Sequence, residues 1–211
     1  MNQHRFFALA ALALPLFARG EEAVFANDFE SSETGKAPKD FLVIAGAFTV
    51  QADGGKKFLE LPGSPLDTFG ALFGPAKMEG LSVTGKFFGT KVGRKFPAFG
   101  LSLNGAGGYR LQVSAAKKQL EIFKGDEARA NVSFEWVGAA WLSLRIQARQ
   151  TLAGAWVIEG RAWPAGGAEP EKWSISLEEK DAPAAGRPGV WGSPFSGTPI
   201  RFDDLMITPL R

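Results

Sequence analysis

Short apolar and alternating runs follow one another from residue 24 to residue 208, and this pattern limits the fold more than any other feature. Glycine, proline, asparagine, aspartate and lysine separate the runs. Beyond the leader-like first twenty residues, no window repeats its apolar residues at the period of an amphipathic helix. Half-buried strands alternate with a period of two, and turns about every 8–12 residues are typical of sandwiches and barrels. The pattern therefore predicts one all-β domain of about fourteen strands, arranged as a two-sheet antiparallel β-sandwich.

The clearest pair of predicted strands forms a hairpin around Leu152. Its apolar row includes Leu144 and Ile146, which we expect in the core. Closure symmetric about Leu152 would place Arg145 opposite Glu159. A slip by two residues would keep every side chain on its face, so the pattern determines the faces but leaves the pairing open. The predicted strands are 24–30, 41–51, 57–61, 70–73, 80–88, 98–103, 109–115, 119–123, 130–136, 140–149, 155–163, 172–177, 189–195 and 200–208.

Residues 1–20 have the three parts of a secretory signal peptide. A positive start is followed by an uncharged run, 6–17, and by small residues at the two positions that a signal peptidase reads. We expect cleavage before Glu21, which leaves 21–211 as the folded domain. The uncharged run is shorter than the roughly 20 residues needed to cross a bilayer, so we expect no membrane span and a periplasmic or extracellular location. A retained anchor or a buried first helix is the alternative.

Charge and composition exclude several classes of function. Arg5 and Arg19 lie in the predicted leader, so the remaining chain has 22 basic residues against 22 acidic ones. A neutral chain lacks the basic surface of nucleic-acid-binding proteins, and no nucleic-acid partner is expected. Cysteine is absent, which excludes disulfides and thiolate chemistry. The one histidine, His4, also lies in the leader, so histidine triads and histidine-rich zinc sites are not expected.

Five stretches of the chain carry a family resemblance. Residues 160–173, G-R-A-W-P-A-G-G-A-E-P-E-K-W, match K-x-W-P-x-G-x-x-E-P-x-x-W except that Arg161 replaces the lysine. A W-L-S-L strand precedes this stretch, and a G-R-P-G-V-W turn and an F-D-D-L strand follow it. The first predicted strand reads F-A-N-D-F-E. With these motifs, nearly all of the chain after the leader resembles secreted concanavalin A-like lectin/glucanase jelly-roll domains, including laminin G-like and 3-keto-disaccharide hydrolase-type domains.

The resemblance implies a concave and a convex sheet, but this fold family contains glycan-binding proteins, hydrolases and lyases. Retaining glycoside hydrolases of the laminarinase type place two carboxylates on one strand in an E-x-D-x-E pattern, and the sequence lacks it. The nearest sequence, 28–33, has the residue types in another order. No catalytic residue is therefore assigned. The leading hypothesis is a secreted, non-catalytic protein that binds carbohydrate or another extracellular ligand. A secreted hydrolase with dispersed carboxylates and a structural protein of the cell envelope are the alternatives.

Five side chains on the outward side of the hairpin form the candidate binding site. Tryptophan offers a flat apolar surface for a sugar ring, and arginine and glutamate offer donors and acceptors for hydroxyl groups. The alternative is an ion-pair ladder on a solvated face, with loops covering the tryptophans. The candidate residues are Trp141, Arg145, Glu159, Arg161 and Trp163. The remaining tryptophans, interpreted as structural, are Trp136, Trp156, Trp173 and Trp191.

The first and last predicted strands carry candidate ligands for a structural calcium ion. Asp28 lies on the first strand, and Asp203 and Asp204 lie on the last. The termini of jelly rolls commonly pair in one sheet, which would bring these oxygens together, and calcium takes about 6–8 oxygen ligands. The alternative is that Asp203 or Asp204 only accepts backbone hydrogen bonds at a strand end. No other cofactor is expected.

Overall fold

The computed structural model describes residues 23–64, 67–77, 80–195 and 197–210. The predicted leader and its cleavage site lie outside these residues. Within the described ranges, no helix is long and apolar enough to cross a membrane.

Fifteen strands and one short 3-10 turn make up the regular structure of the described residues. The strands are β1 Phe25–Asn27, β2 Leu42–Ala45, β3 Thr49–Asp53, β4 Lys56–Leu61, β5 Phe69–Leu72, β6 Leu81–Gly89, β7 Ala98–Leu103, β8 Tyr109–Ser114, β9 Gln119–Lys124, β10 Glu127–Ser133, β11 Leu142–Gln150, β12 Trp156–Pro164, β13 Ile175–Glu179, β14 Gly189–Ser193 and β15 Ile200–Pro209. The 3-10 turn, Ala115–Lys117, joins β8 to β9.

The strands form two antiparallel sheets, which confirms the predicted fold class. One sheet has eight strands in the order β13-β12-β11-β6-β15-β4-β3, with β1 paired to β15. The other has seven strands in the order β10-β9-β8-β7-β14-β5-β2. Neighbours in the sheets are often distant in sequence, since β6 lies between β11 and β15 and β14 lies between β5 and β7. These crossovers bring outward-facing side chains from distant segments together.

Apolar side chains from both sheets meet in one core. Phe87 on β6 stacks on Phe99 on β7, with ring centroids 5.6 Å apart, so the contact joins the two sheets. Leu144 and Ile146 are fully buried in this core, as the alternation predicts. At one side of the sandwich, the carboxylate of Glu179 on β13 pairs with Lys124 on β9. This ion pair links the sheets where the core ends.

One predicted strand is wrong in its extent. The run 41–51 was expected to be continuous, but it forms β2 in the seven-stranded sheet and β3 in the eight-stranded sheet. Gly46 separates them with a φ of 98°, a conformation that L residues other than glycine rarely adopt. The chain therefore changes sheets at a glycine that lies inside an apolar sequence.

The β11–β12 hairpin does not close symmetrically about Leu152 but adopts the register that is shifted by two residues. Arg145 lies opposite Arg161, and Glu159 lies opposite Gln147. The hairpin is centred on Ala153 because the turn closes with Thr151 N donating to Ala155 O. The shift keeps every side chain on its predicted face, since side chains alternate with a period of two. It changes which side chains are neighbours in the candidate site.

Candidate functional site

Side chains that alternate with the core rows point away from the sandwich, so each sheet has one outward face. We call these the eight-stranded face and the seven-stranded face. The eight-stranded face carries four of the five candidate residues, Arg145, Glu159, Arg161 and Trp163, on β11 and β12. Trp141 lies just before β11. The structure therefore brings these residues to one region, although each has partners within the chain.

Arg145 and Arg161 are directly opposite each other, and Glu169 from the β12–β13 loop bridges them. Glu169 Oε1 lies 3.1 Å from Arg145 Nη1 and also pairs with Arg161 Nη2. Arg145 Nε donates to Ser82 Oγ at 2.6 Å. Like charges directly opposite each other destabilise a sheet, so the shared carboxylate offsets the repulsion. Both guanidinium groups are therefore engaged by Glu169.

The β12–β13 loop also covers Arg161. The guanidinium carbon of Arg161 lies 4.0 Å from the ring centroid of Trp173, and Nη1 donates to the carbonyl oxygens of Pro170 and Glu171. Its side chain is only 11% exposed as a result. Residues 165–174 thus close over this part of the eight-stranded face.

Glu159 is buried with its carboxylate fully engaged. Arg149 donates to it twice, from Nε to Oε2 and from Nη2 to Oε1, each at 2.9 Å. Gln147 Nε2 adds a third hydrogen bond to Oε2 at 2.7 Å. The side chain of Glu159 is 8% exposed, so little of the carboxylate is left for a ligand.

The two candidate tryptophans line the same small cavity. Trp141 packs against Phe88, with ring centroids 5.5 Å apart, and Trp163 is 9% exposed. Both border an apolar cavity of about 150 Å³, which Val137 also lines. Val137 is 72% exposed, so this cavity opens at an apolar part of the surface. A ligand site at these tryptophans stays a prediction.

The seven-stranded face carries a tryptophan that lies across three strands. Trp191 on β14 donates from Nε1 to Ser102 Oγ on β7 at 2.7 Å. On the other side, its six-membered ring covers Gly70 on β5. A Cβ atom at Gly70 would lie 2.6 Å from Trp191 Cε3, so the indole can lie flat only over a glycine. The indole remains partly exposed.

Arg110 lies beside this indole between two aromatic rings. Its guanidinium carbon is 4.7 Å from the ring centroid of Phe123 and 5.6 Å from that of Trp191. Such contacts each contribute about 0.5–2 kcal/mol, with the larger values at desolvated sites. Arg110 is 9% exposed, and its Nε donates to Gln112 Oε1 at 3.1 Å. Burial lowers the pKa of the guanidinium from its ordinary value, while nearby carboxylates oppose that shift.

A row of hydrogen-bonded side chains continues from Arg110 along the seven-stranded face. Gln112 Nε2 donates to Ser114 Oγ at 2.9 Å, and Ser114 Oγ donates to Glu121 Oε2. Lys117 Nζ donates to the other oxygen of Glu121 at 3.1 Å. The carboxylate of Glu121 is therefore neutralised at the far end of the row. The seven-stranded face thus combines two aromatic rings, a buried cation and several polar groups in one region.

No sequence pattern indicated a site on the seven-stranded face. Strands were predicted over Arg110, Gln112 and Trp191, but Trp191 was interpreted as structural. Alternation of the strand 109–115 places Arg110 on the outward side, which was the available signal. That Trp191 and Arg110 are neighbours depends on β14 pairing with β7, which no local pattern indicates.

The pairing of β1 with β15, in which Asn27 is opposite Leu205, brings two of the three candidate calcium ligands to one region. Asp28 and Asp204 border one cavity of about 420 Å³, and Asp204 pairs with Lys86. Burial raises the pKa of Asp203 to about 6. Among the described residues, no group of three or more acidic, histidine or cysteine side chains is placed to hold a metal ion. Calcium binding stays a prediction, which equal melting temperatures in calcium and in EDTA would contradict.

No family model matches this chain, and no curated protein matches it.

Solved structures, by contrast, resemble it over most of its length. Carbohydrate-binding module CBM66 from Bacillus subtilis has a TM-score of 0.57 at 12% identity and covers 80% of this chain and 95% of its own. The Emp47p carbohydrate recognition domain has a TM-score of 0.61 at 9% identity, covering 93% and 100%. A protein from work on endo-acting O-glycanases of the human gut microbiota has a TM-score of 0.60 at 13% identity, covering 90% and 100%. At such identities the likeness concerns the fold, and together with the two antiparallel sheets it shows that the chain is a concanavalin A-like jelly-roll sandwich.

Proposed function

We propose that this chain is an exported protein that binds carbohydrate and does not transform it. The observation that carries the proposal is the arrangement of Trp191, Arg110 and Phe123 on the seven-stranded face. The indole is held flat by Gly70 and Ser102, so it is preorganised to stack on the apolar side of a sugar ring. Hydrogen-bonding groups adjoin it, and binding sites typically combine apolar area with a few such groups.

Two further observations support the proposal. Solved structures that share the fold include a carbohydrate-binding module and a carbohydrate recognition domain, although the fold alone does not assign a function. The signal-peptide pattern of residues 1–20 would deliver the protein to the compartment where extracellular glycans are found.

The seven-stranded face is the better of the two candidate faces because its polar groups are less completely used. On the eight-stranded face, Glu159 has three donors, and Arg145 and Arg161 share Glu169. A ligand there would have to replace contacts that the protein already makes. The cavity beside Trp141 is then the alternative surface, to be used only if the seven-stranded face does not bind.

A glycan array with two tryptophan variants tests the site. Trp191→Ala is expected to lose about tenfold or more in glycan affinity, since aromatic stacking residues contribute a large part of such binding. Trp141→Ala, the matched control on the eight-stranded face, is expected to keep wild-type affinity. The melting temperatures of both variants report any loss of folding. Loss of binding in Trp141→Ala alone would move the site to the eight-stranded face. Absence of glycan binding in the wild-type protein would contradict the proposed function.

Product analysis on the bound glycans tests whether the protein is an enzyme. We expect binding without turnover, because the sequence lacks the paired-carboxylate strand pattern of laminarinase-type hydrolases. Release of shortened or modified sugars by purified protein would favour the hydrolase alternative.

Mass spectrometry of protein from its native host is expected to show a chain that begins at Glu21, and a retained leader would contradict export with processing.

A further inference from the structure

We infer that the seven-stranded face binds an acidic glycan, with the guanidinium group of Arg110 holding a carboxylate or sulfate group of the sugar. The inference rests on the proposed carbohydrate binding and names the ligand class. It starts from a feature that carbohydrate binding alone does not explain, which is a nine-tenths buried cation that has no ion-pair partner among the described residues.

Arg110 is unusual among the arginines of the two outward faces. Arg149 and Arg201 each pair with a carboxylate, at 2.9 and 3.1 Å, and Arg161 pairs with Glu169. Arg110 is 9% exposed, and within the described residues it forms no ion pair. Buried charges in proteins are normally paired, because removing a charge from water has a large cost in free energy. The missing counterion therefore indicates a place for an anionic group.

The hydrogen bonds around Arg110 leave most of its donors without a protein acceptor. A guanidinium group has five N–H donors, and in the part of the chain that the structure describes only the Nε donor has an acceptor, Gln112 Oε1 at 3.1 Å. The two terminal nitrogens have no acceptor among the residues that the structure describes. Their paired geometry matches the two oxygens of a carboxylate or sulfate group.

The carboxylates near Arg110 do not take this role. Glu121 is the nearest along the hydrogen-bonded row, but its oxygens accept from Ser114 and Lys117. Asp126 is exposed and acts on Arg110 only through its field, without an ion pair. Both carboxylates favour the charged form of Arg110, so the cation is retained at neutral pH.

The aromatic rings beside Arg110 offer a stacking surface for the ring of the same sugar. Trp191 and Phe123 flank the guanidinium group at 5.6 and 4.7 Å. A sugar that stacks on the partly exposed indole would place a substituent of its ring toward Arg110. An acidic substituent gains more there than a hydroxyl group, because a charge-assisted hydrogen bond is about twice as strong as a neutral one.

Matched pairs of oligosaccharides test the inference by isothermal titration calorimetry. Galacturonan oligomers are compared with their methyl esters, and dextran sulfate oligomers with unsulfated dextran, so that each pair differs in charge. We expect wild-type protein to prefer the acidic member of at least one pair by about tenfold or more. A preference in the first pair identifies a carboxylate ligand, and a preference in the second identifies a sulfate.

Three variants assign the preference to Arg110. Arg110→Gln removes the charge and is expected to lose the preference for the acidic sugar. Arg110→Lys keeps a buried cation but not the planar group, and an intermediate preference is expected. Arg94→Gln removes one charge from an exposed turn and is the matched control, with an unchanged preference expected. Melting temperatures show whether each variant is folded, and Arg110→Lys carries the test if Arg110→Gln does not fold.

The outcomes separate this inference from the proposed function. Equal affinity for acidic and neutral sugars in wild-type protein would overturn the acidic ligand and leave carbohydrate binding in place. A preference that persists in Arg110→Gln and Arg110→Lys would overturn the role of Arg110. No binding to any of the four oligosaccharides or to the glycan array would overturn both.

Discussion

Replacing Leu144 with alanine tests which side of β11 faces the core, and therefore which side can carry a site. Leu144 is fully buried, and its neighbours on the two adjacent strands are Gly85 on β6 and Ala162 on β12. Leucine-to-alanine substitutions in cores typically cost about 2–5 kcal/mol, and the cost rises with the volume of the cavity that remains. Glycine and alanine have no side chain that can move into such a cavity. We therefore expect Leu144→Ala to lower the free energy of unfolding by an amount in the upper part of that range, about 3–5 kcal/mol.

The measurement is urea-induced unfolding followed by tryptophan fluorescence. The decrease in the free energy of unfolding is calculated from the shift of the urea midpoint, provided that the m-value is unchanged. Leu152→Ala is the matched control, because the same substitution is made at a fully exposed position in the turn of the same hairpin. It is expected to change the free energy of unfolding by less than about 0.5 kcal/mol. A loss below about 0.5 kcal/mol for Leu144→Ala would refute the assignment of its face. Similar losses in both variants would refute the argument from burial.

Three further predictions concern the outward faces. Glu169→Gln removes the carboxylate that the two opposed arginines share, and we expect it to lower the free energy of unfolding by about 1–2 kcal/mol at low salt and by less at high salt. A decrease that does not depend on the salt concentration would contradict the electrostatic origin. The pKa of Asp203 is about 6 in the folded protein, above its ordinary value of 3.8, so the folded state binds a proton at this carboxyl group more tightly than the unfolded state does. The resulting contribution to stability is fully present below pH 3.8 and is lost as the pH rises through 6. Asp203→Asn is therefore expected to raise the free energy of unfolding at pH 7 in EDTA by about 1–3 kcal/mol and to change it little below a pH of about 4. An equal change at both pH values would contradict the raised pKa of Asp203. Gly70→Val is expected to displace the indole of Trp191 and weaken glycan binding about tenfold, and unchanged binding would show that the flat position of the ring is not needed.

The amino-acid pattern was sufficient to predict the fold class and the direction of the side chains on β11 and β12. Alternation with a period of two is a local property, so Leu144 and Ile146 could be assigned to the core before the partner strands were known. Turn residues such as glycine and proline are also a local property of the sequence, so the predicted strand positions are close to the observed ones. The break at Gly46 was missed because nothing in its apolar surroundings distinguishes a change of sheet from a continuous strand.

The partners of the outward-facing side chains, on which the choice between the two faces rests, could be learned only from the three-dimensional structure. Four of the five predicted site residues lie on one outward face, but a loop that follows β12 places Glu169 between Arg145 and Arg161. On the other sheet, Trp191 meets Ser102, 89 residues away in sequence. These contacts depend on strand pairing across long crossovers and on the path of a loop. Local periodicity carries no information about either, because it reports only which side of its own strand a residue occupies.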